Sequence, residues 1–372
     1  FDSHQTMNRT ESQRAFQGTF ETFDVDGNGT VDLEELGLGL SEEGSNGHSF
    51  SLTALKDLLD KFDANNNGVL EKDEFINLMH STELDAFFAG EDVNANKGNG
   101  PALDLEAVYK LTPTLEETPI LIKKKISDFD KTLAKIDPKK KIGCTLAEEK
   151  CPGLCEADFK LVFLRCEVFQ VKLAVNRWIK YWDLRHKVFG DKKAFLPMTL
   201  EGAMKGSEKA ISSSYMAVAE GVTDPDGRAI VMMDYREEAG DLSDEELFKA
   251  VFYHSHVAVS SQSAQKRGVI CFFKTVDNYF DGRPKLWKLS AALGKGSFPA
   301  RVSAVHFVKP PTFIKVVVKV MKILLGPKLR SRIYVHSGSM DEILESLSGY
   351  GLGLKMLPSA FGGNLSFSPP AK

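Results

Sequence analysis

Between Asp281 and Asp341 the chain contains no acidic residue, while twelve Lys and Arg fall in that interval. Ion pairing within the stretch is therefore excluded, and its positive charge must meet water, another part of the chain or an anionic partner. The chain also lacks any uninterrupted apolar run of membrane-spanning length. Its most apolar segment, residues 313–325, is broken by Lys315, Lys319 and Lys322. Cysteine is scarce and odd in number, with five in 372 residues (Cys144, Cys151, Cys155, Cys166 and Cys271). A complete disulfide framework is excluded, and reduced thiols in a cytoplasmic setting are the expectation. Phe1-Asp-Ser-His4 has no signal-peptide pattern. The absent initiator Met suggests a trimmed chain, which leaves a removed presequence open.

Catalytic patterns are missing as well. No Gly-x-Ser-x-Gly elbow or His-Glu-x-x-His pair occurs. Gly294-Lys-Gly-Ser297 lacks the consecutive Gly-Lys-Ser/Thr of a phosphate loop. His254 and His256 lie two apart on an expected helix and so point to different faces, unlike a zinc pair. The expectation is a protein without enzymatic activity. Lys139–Lys141 lacks neighbouring aromatics for base stacking, so no nucleic-acid partner is expected.

The overall net charge of −4 conceals a division. Residues 1–115 hold 22 acids against 7 bases, a net of −15; residues 116–372 hold 29 against 40, a net of +11. Such halves suit different partners, or each other.

The acidic half contains one 12-residue pattern twice. The copies are Asp24-Val-Asp-Gly-Asn-Gly-Thr-Val-Asp-Leu-Glu-Glu35 and Asp63-Ala-Asn-Asn-Asn-Gly-Val-Leu-Glu-Lys-Asp-Glu74. Calcium is a hard cation that takes six to eight oxygens, and a short loop wrapped around it supplies them. Asp24, Asp26 and Asn28, then Asp63, Asn65 and Asn67, offer side-chain oxygens at positions 1, 3 and 5. Gly29 and Gly68 make the sharp turn at position 6. Thr30 and Val69 give backbone carbonyls, Asp32 and Glu71 occupy position 9, and Glu35 and Glu74 are the bidentate ligands. Residues 10–85 therefore resemble the EF-hand family, which implies two Ca2+ sites. The first loop has four carboxylates and the second three, so weaker binding is expected at the second.

The basic half begins with helical patterns over 120–136 and from Ala157 to about Lys187, the latter with a break expected near 168–171. From Asp224 it alternates strand and helix, with strands expected over 228–235, 268–276, 301–308 and 332–336. Ser243-Asp-Glu-Glu246 is a capping box that opens a helix to about Lys266. Phe163-Leu-Arg165, Phe298-Pro299, Lys309-Pro-Pro311 and Leu357-Pro-Ser-Ala-Phe-Gly-Gly363, in this order, resemble the CRAL-TRIO family. That family includes retinaldehyde-binding, tocopherol-transfer and phosphatidylinositol-transfer proteins.

The resemblance implies a hydrophobic lipid ligand in an apolar pocket, with 312–325 as a gate helix. By position, Phe273, Phe313, Val317 and Met321 are the expected pocket and gate residues. Arg301, Lys328 and Arg332 are the expected contacts for anionic lipid headgroups. As a helix, 312–325 would carry lysines on one face and apolar residues on the rest. That pattern suits either a core helix whose lysines reach water or a membrane-facing one, and the missing acids favour the membrane.

The fold class expected is a multidomain α+β protein. It comprises an all-α EF-hand pair (1–90), a linker (91–115), a helical CRAL-TRIO subdomain (116–190) and an α/β lipid-binding domain with a mainly parallel sheet (191–372). The function expected is calcium-regulated binding and transfer of lipid by a cytoplasmic protein that docks on anionic, phosphoinositide-containing membranes. The alternative is a calcium sensor whose EF-hand lobe recruits a protein partner, with the lipid domain as membrane anchor.

Overall fold

The computed structural model describes residues 20–21, 23–24, 26–40, 52–81, 109, 111–213, 215–234, 241–274, 286, 289–290, 292–309, 331–357 and 359–365. The chain divides into two compact units: Phe1–Lys97 with Thr275–Pro284 and Pro310–Val335, and Gly98–Lys274 with Lys285–Lys309 and His336–Lys372.

In the first unit, β1 (Thr30–Val31) leads into α1 (Leu33–Leu40). Next come α2 (Leu52–Phe62), β2 (Leu70–Glu71) and α3 (Lys72–His80). The two short strands pair antiparallel, with Val31 opposite Leu70 and Thr30 opposite Glu71. Two consecutive loop residues thus lock the two helix–loop–helix repeats together. Phe75 lies 5.0 Å from Phe23 and 5.5 Å from Phe20, ring centre to ring centre, and joins the flanking helices in one apolar core. Gly29 and Gly68 adopt φ of +85° and +87°, the turn that a side chain would oppose.

The second unit opens with a segment of irregular backbone (111–118) that reaches α4 (Pro119–Ala134). Thr118 caps this helix by accepting from the Leu121 amide, and Pro119 starts it where no backbone donor is needed. Then follow α5 (Ile142–Lys150), α6 (Ala157–Cys166) and α7 (Val171–Lys193). The break expected near 168–171 is a four-residue link, 167–170. Trp178 and Trp182 of α7 are fully buried, and Trp178 meets Phe163 edge-on at 4.9 Å. The Trp178 indole N–H donates to the Cys144 sulfur at 3.2 Å. All five cysteines are unbridged.

After α8 (Glu208–Ser212), the chain lays down β3 (Met216–Thr223) and β4 (Ala229–Asp234). Helices α9 (Asp244–Ala258) and α10 (Gln262–Arg267) follow, then β5 (Val269–Lys274), β6 (Val302–Val308), β7 (Ile333–His336) and α11 (Met340–Ser348). The five strands lie in the order β3-β4-β5-β6-β7. β3 runs antiparallel to β4, whereas β4–β5 and β5–β6 are parallel, with Val231 beside Cys271 and Cys271 beside Val305. The near-continuous apolar sequence of β4 through β6 is what a parallel sheet covered on both faces requires. The capping box at Ser243 forms with both hydrogen bonds in place. The helix it opens ends at Ala258, however, and a second begins after Ser261, whose hydroxyl accepts from the Ala264 amide. A run of hydroxylated residues thus divides what the sequence reads as one helix.

Four enclosed imidazoles, three of them buried and His256 half-buried, carry a cost at acidic pH. Burial pushes His254 and His336 down to about 4 and His256 to about 3, and His306 lies well below the ordinary value of 6.5. Each folded-state value is depressed, so the unfolded chain binds the proton first. Stability is therefore constant well above the unfolded value of about 6.5, begins to fall as pH approaches it, and drops towards pH 4 at up to roughly 1.4 kcal/mol per pH unit for each group. Urea denaturation at pH 7.5, 6.5 and 5.5 is expected to show a small loss over the first interval and a loss about three times as large over the second. A flat profile would refute the neutral, buried state of these rings.

Candidate calcium and lipid sites

The first loop is built around carboxylates forced together. Ligand oxygens of Asp24, Asp26 and Glu35 lie within 4.8 Å of one another, and Glu35 is buried. Glu35 folds back so that its two oxygens accept the amides of Asp26 (3.3 Å) and Asp32 (3.1 Å). Asp24 Oδ2 accepts the Gly29 amide at 2.9 Å, while its buried Oδ1 has no hydrogen-bond partner among the described residues. Clustered anions and an orphaned buried oxygen fit a divalent cation with oxygen preference. Of the other expected ligands, Thr30 opens β1 and Asp32 directly follows it, and Asn28 Oδ1 accepts from the Thr30 amide at 2.8 Å.

The second loop repeats the backbone with different side-chain pairing. Glu74 accepts the amides of Ala64 (2.8 Å) and Glu71 (3.0 Å), as Glu35 does in the first loop. Asp63 accepts from Asn67 and Gly68, and Asn67 Oδ1 accepts from the Val69 amide. The amides of Asn65 and Asn67 donate to Glu71, so these side chains are tied to each other. Among the described residues, only the first loop gathers three acids within one ion's reach.

In the sheet unit, Phe273 of β5 is half-buried and stacks on Phe307 of β6 at 4.8 Å. Phe313, Val317, Met321 and Lys328, with the expected gate helix, lie outside the described residues. Arg332 is half-buried just ahead of β7. Arg301 is buried directly before β6, and its two terminal nitrogens donate to the carbonyls of Lys266 (2.8 Å) and Thr112 (2.7 Å). In this conformation its guanidinium ties the irregular segment 111–118 to the sheet.

Sequence reading missed what that segment does. Tyr109 is fully buried and stacks on Tyr350 at 5.9 Å, with Arg228 over its ring at 5.3 Å. Glu117 receives both forks of Arg165 (2.9 and 2.8 Å) and Lys266 at 3.2 Å. Burial pushes the Glu117 carboxyl up, but Arg165 and Lys266 together outweigh it and hold the group below its ordinary range. Nearby, Arg177 donates to Glu167 at 2.5 Å and to the Phe298 carbonyl at 2.6 Å. At the far end of β6, His306 and His336 share a hydrogen bond of 2.9 Å, and His336 meets the Ser346 hydroxyl at 3.1 Å. No local pattern announces these contacts, because the partners are far apart in sequence.

Two family models match the chain. The model of the EF-hand domain pair matches residues 13–80, and that of the CRAL/TRIO domain matches residues 212–363. The chain therefore carries an EF-hand pair followed by a CRAL/TRIO domain. It is similar to Clavesin-1 of Xenopus laevis, 26% identical over 217 residues, covering 56% of this chain and 60% of that relative. It thus spans about 60% of that relative's length. It is also similar to the human tyrosine-protein phosphatase non-receptor type 9, 27% identical over 202 residues, covering 50% of this chain but 32% of the phosphatase. The crystal structure of Sfh5 aligns with a TM-score of 0.42 at 12% identity, covering 68% of this chain and 95% of that one. Among the described residues, no helix is long and apolar enough to cross a membrane.

Calcium titration calorimetry is expected to find two sites of unequal affinity, the first loop tighter. Glu35→Gln should weaken the tighter site at least about tenfold and Glu74→Gln the weaker one, since each removes the bidentate ligand. Unaltered isotherms would count against both loops as calcium sites.

Proposed function

We propose that this protein binds a hydrophobic lipid in its CRAL/TRIO domain and carries it between membranes, under the control of calcium bound by its EF-hand pair. The observation that carries the reading is the union of these two domains in one chain. The parallel sheet β4-β5-β6 forms the floor of the lipid site, with Phe273 on its surface. Residues 312–325, which lie outside the described residues, would serve as the gate that the family resemblance implies. Apolar burial supplies affinity on the order of 25 cal/mol per Å2. Basic residues near the membrane, Lys328 and Arg332 among them, each contribute about 1 kcal/mol towards an anionic surface. The protein works in the cytoplasm as a peripheral membrane protein and performs no chemistry on its cargo.

Regulation follows from the charge division, −15 in residues 1–115 and +11 in the remainder. Asp24, Asp26, Asn28, Asp32 and Glu35, with their counterparts in the second loop, would hold the two ions. Bound calcium would offset four negative charges there and open an apolar groove in the EF-hand lobe. The acidic module then screens the basic one less, and membrane docking strengthens. A second reading, a calcium sensor whose lobe recruits a protein helix, draws on the same EF-hand pair.

Two measurements test the proposal. The purified protein, incubated with a lipid extract, is expected to retain a hydrophobic species detectable by mass spectrometry and to move labelled lipid between vesicles. Retention of nothing, together with no transfer, would end the carrier reading. Flotation with phosphoinositide-containing vesicles is expected to rise when calcium replaces chelator, and the double variant Glu35→Gln/Glu74→Gln should lose that response. A calcium-dependent protein partner captured without any lipid turnover would favour the sensor.

A further inference from the structure

The irregular segment 111–118 delivers one carboxylate into a small, shallow cleft whose lining includes three cationic side chains, Arg165, Lys266 and Arg301. Glu117 is the acidic residue lining that cleft. Its side chain is 5% exposed, against 11% for Arg165 and 27% for Lys266. Arg165 grips both oxygens side-on, and its remaining nitrogen donates to Gln265 Oε1 at 2.6 Å. Gln262 adds a fourth contact to Glu117, from Nε2 at 3.3 Å.

The cleft's other wall is strained. Val168 and Phe169 adopt φ of +49° and +59° in succession, a region that β-branched and bulky residues avoid. Such a conformation is strained and persists where the surroundings enforce it. Here the Val168 amide donates to the carbonyl of Arg165 itself, so the strained turn and the cation are one assembly.

A bidentate guanidinium and an ammonium at a small cleft make a donor set that phosphate oxygens take, and the Arg301 guanidinium, bonded to two carbonyls, adds positive charge beside them. A carboxylate offers two oxygens and one charge; a phosphate monoester offers three terminal oxygens and about two charges. We propose that Glu117 is an internal stand-in for a phosphate group, and that segment 111–118 is an inhibitory strap which a phosphorylated inositol headgroup displaces from Arg165 and Lys266. Tethering gives Glu117 a high effective concentration, so the strap holds the site at rest. A phosphate with more charge, presented on a surface or free in solution, competes for the same forks. This inference rests on the anionic docking proposed above and adds where the headgroup sits and what guards it.

The test uses the full chain and free inositol 1,4,5-trisphosphate, which needs neither a lipid pocket nor a membrane. By calorimetry, Glu117→Ala is expected to bind the trisphosphate at least about tenfold more tightly than the wild type. Adding Lys266→Ala should remove that gain. If Glu117→Ala folds poorly, as judged by its thermal melt, Glu117→Gln keeps the shape and is expected to gain in the same direction. Identical isotherms for wild type and variant, or a gain that survives Lys266→Ala, would overturn the proposal. Vesicles of phosphatidylcholine with phosphatidylinositol 4,5-bisphosphate separate the sources. A gain on these vesicles assigns a membrane headgroup, and a gain confined to the free trisphosphate assigns a soluble phosphate. An equal gain on phosphatidylserine vesicles with none for the trisphosphate rejects a phosphate site. Loss of lipid transfer with the trisphosphate gain intact would sink the carrier and leave the strap standing.

Discussion

The sheet unit is organised around one buried charge. Arg228 is fully buried and its guanidinium bonds Asp224 at 2.8 Å and Asp226 at 2.9 Å, with Asp224 equally buried. The tight turn between β3 and β4 thus closes on an ion pair rather than on apolar contacts alone, and Gly227 at φ +83° lets the chain bend around it. A buried pair of this kind is a poor source of net stability, but removal of either partner is expensive, about 3–5 kcal/mol. The same guanidinium lies over the ring of Tyr109. One side chain therefore fixes the antiparallel edge of the sheet and the point where the connecting segment enters the fold.

From that anchor the connection runs along the sheet unit by polar attachments. Tyr109 donates to the Tyr350 carbonyl, Thr112 accepts from Arg301, and Glu117 meets Arg165 and Lys266. The contacts touch α6, α10, the residue before β6 and the turn after α11, so the segment between the helix–loop–helix repeats and the helical layer is woven into the sheet unit. Polar attachments of this kind can exchange for water or for another anion with little apolar surface exposed. That distinguishes the strap from the tryptophan-rich core beneath α7, where separation would expose large aromatic faces.

Much of this was legible from the chain alone, for reasons that are local. The loop pattern with Gly29 and Gly68 needs only adjacent residues, and β1 and β2 fall inside the loops as the repeat demands. Strands β4, β5, β6 and β7 follow from apolar runs between turn signals, and the capping box at Ser243 was readable as four letters. β3 was not foreseen: Met-Ala-Val-Ala-Glu-Gly-Val-Thr has small residues and a glycine, and pairs with a bulge between Val218 and Thr223. The division of α9 from α10 hid because helical spacing continues across Ser260 and Ser261. The position of Arg301 in the family pattern implies a headgroup contact, whereas its hydrogen bonds in this conformation go to two carbonyls. Charge partners separated by dozens of residues leave no periodicity, so the Glu117 cluster and the buried arginine could be found only in three dimensions.

The imidazole pair at the end of β6 and β7 has a consequence for hydrogen placement. Only one hydrogen can occupy the contact between His306 Nδ1 and His336 Nε2 while both rings are neutral. If His306 supplies it, His336 must carry its own hydrogen on Nδ1 and point it at the Ser346 oxygen; if His336 supplies it, the serine hydroxyl must turn and donate. The three groups thus reverse polarity together, as a short wire with two settings, and the rotation of a single hydroxyl on α11 selects the tautomer presented on β6.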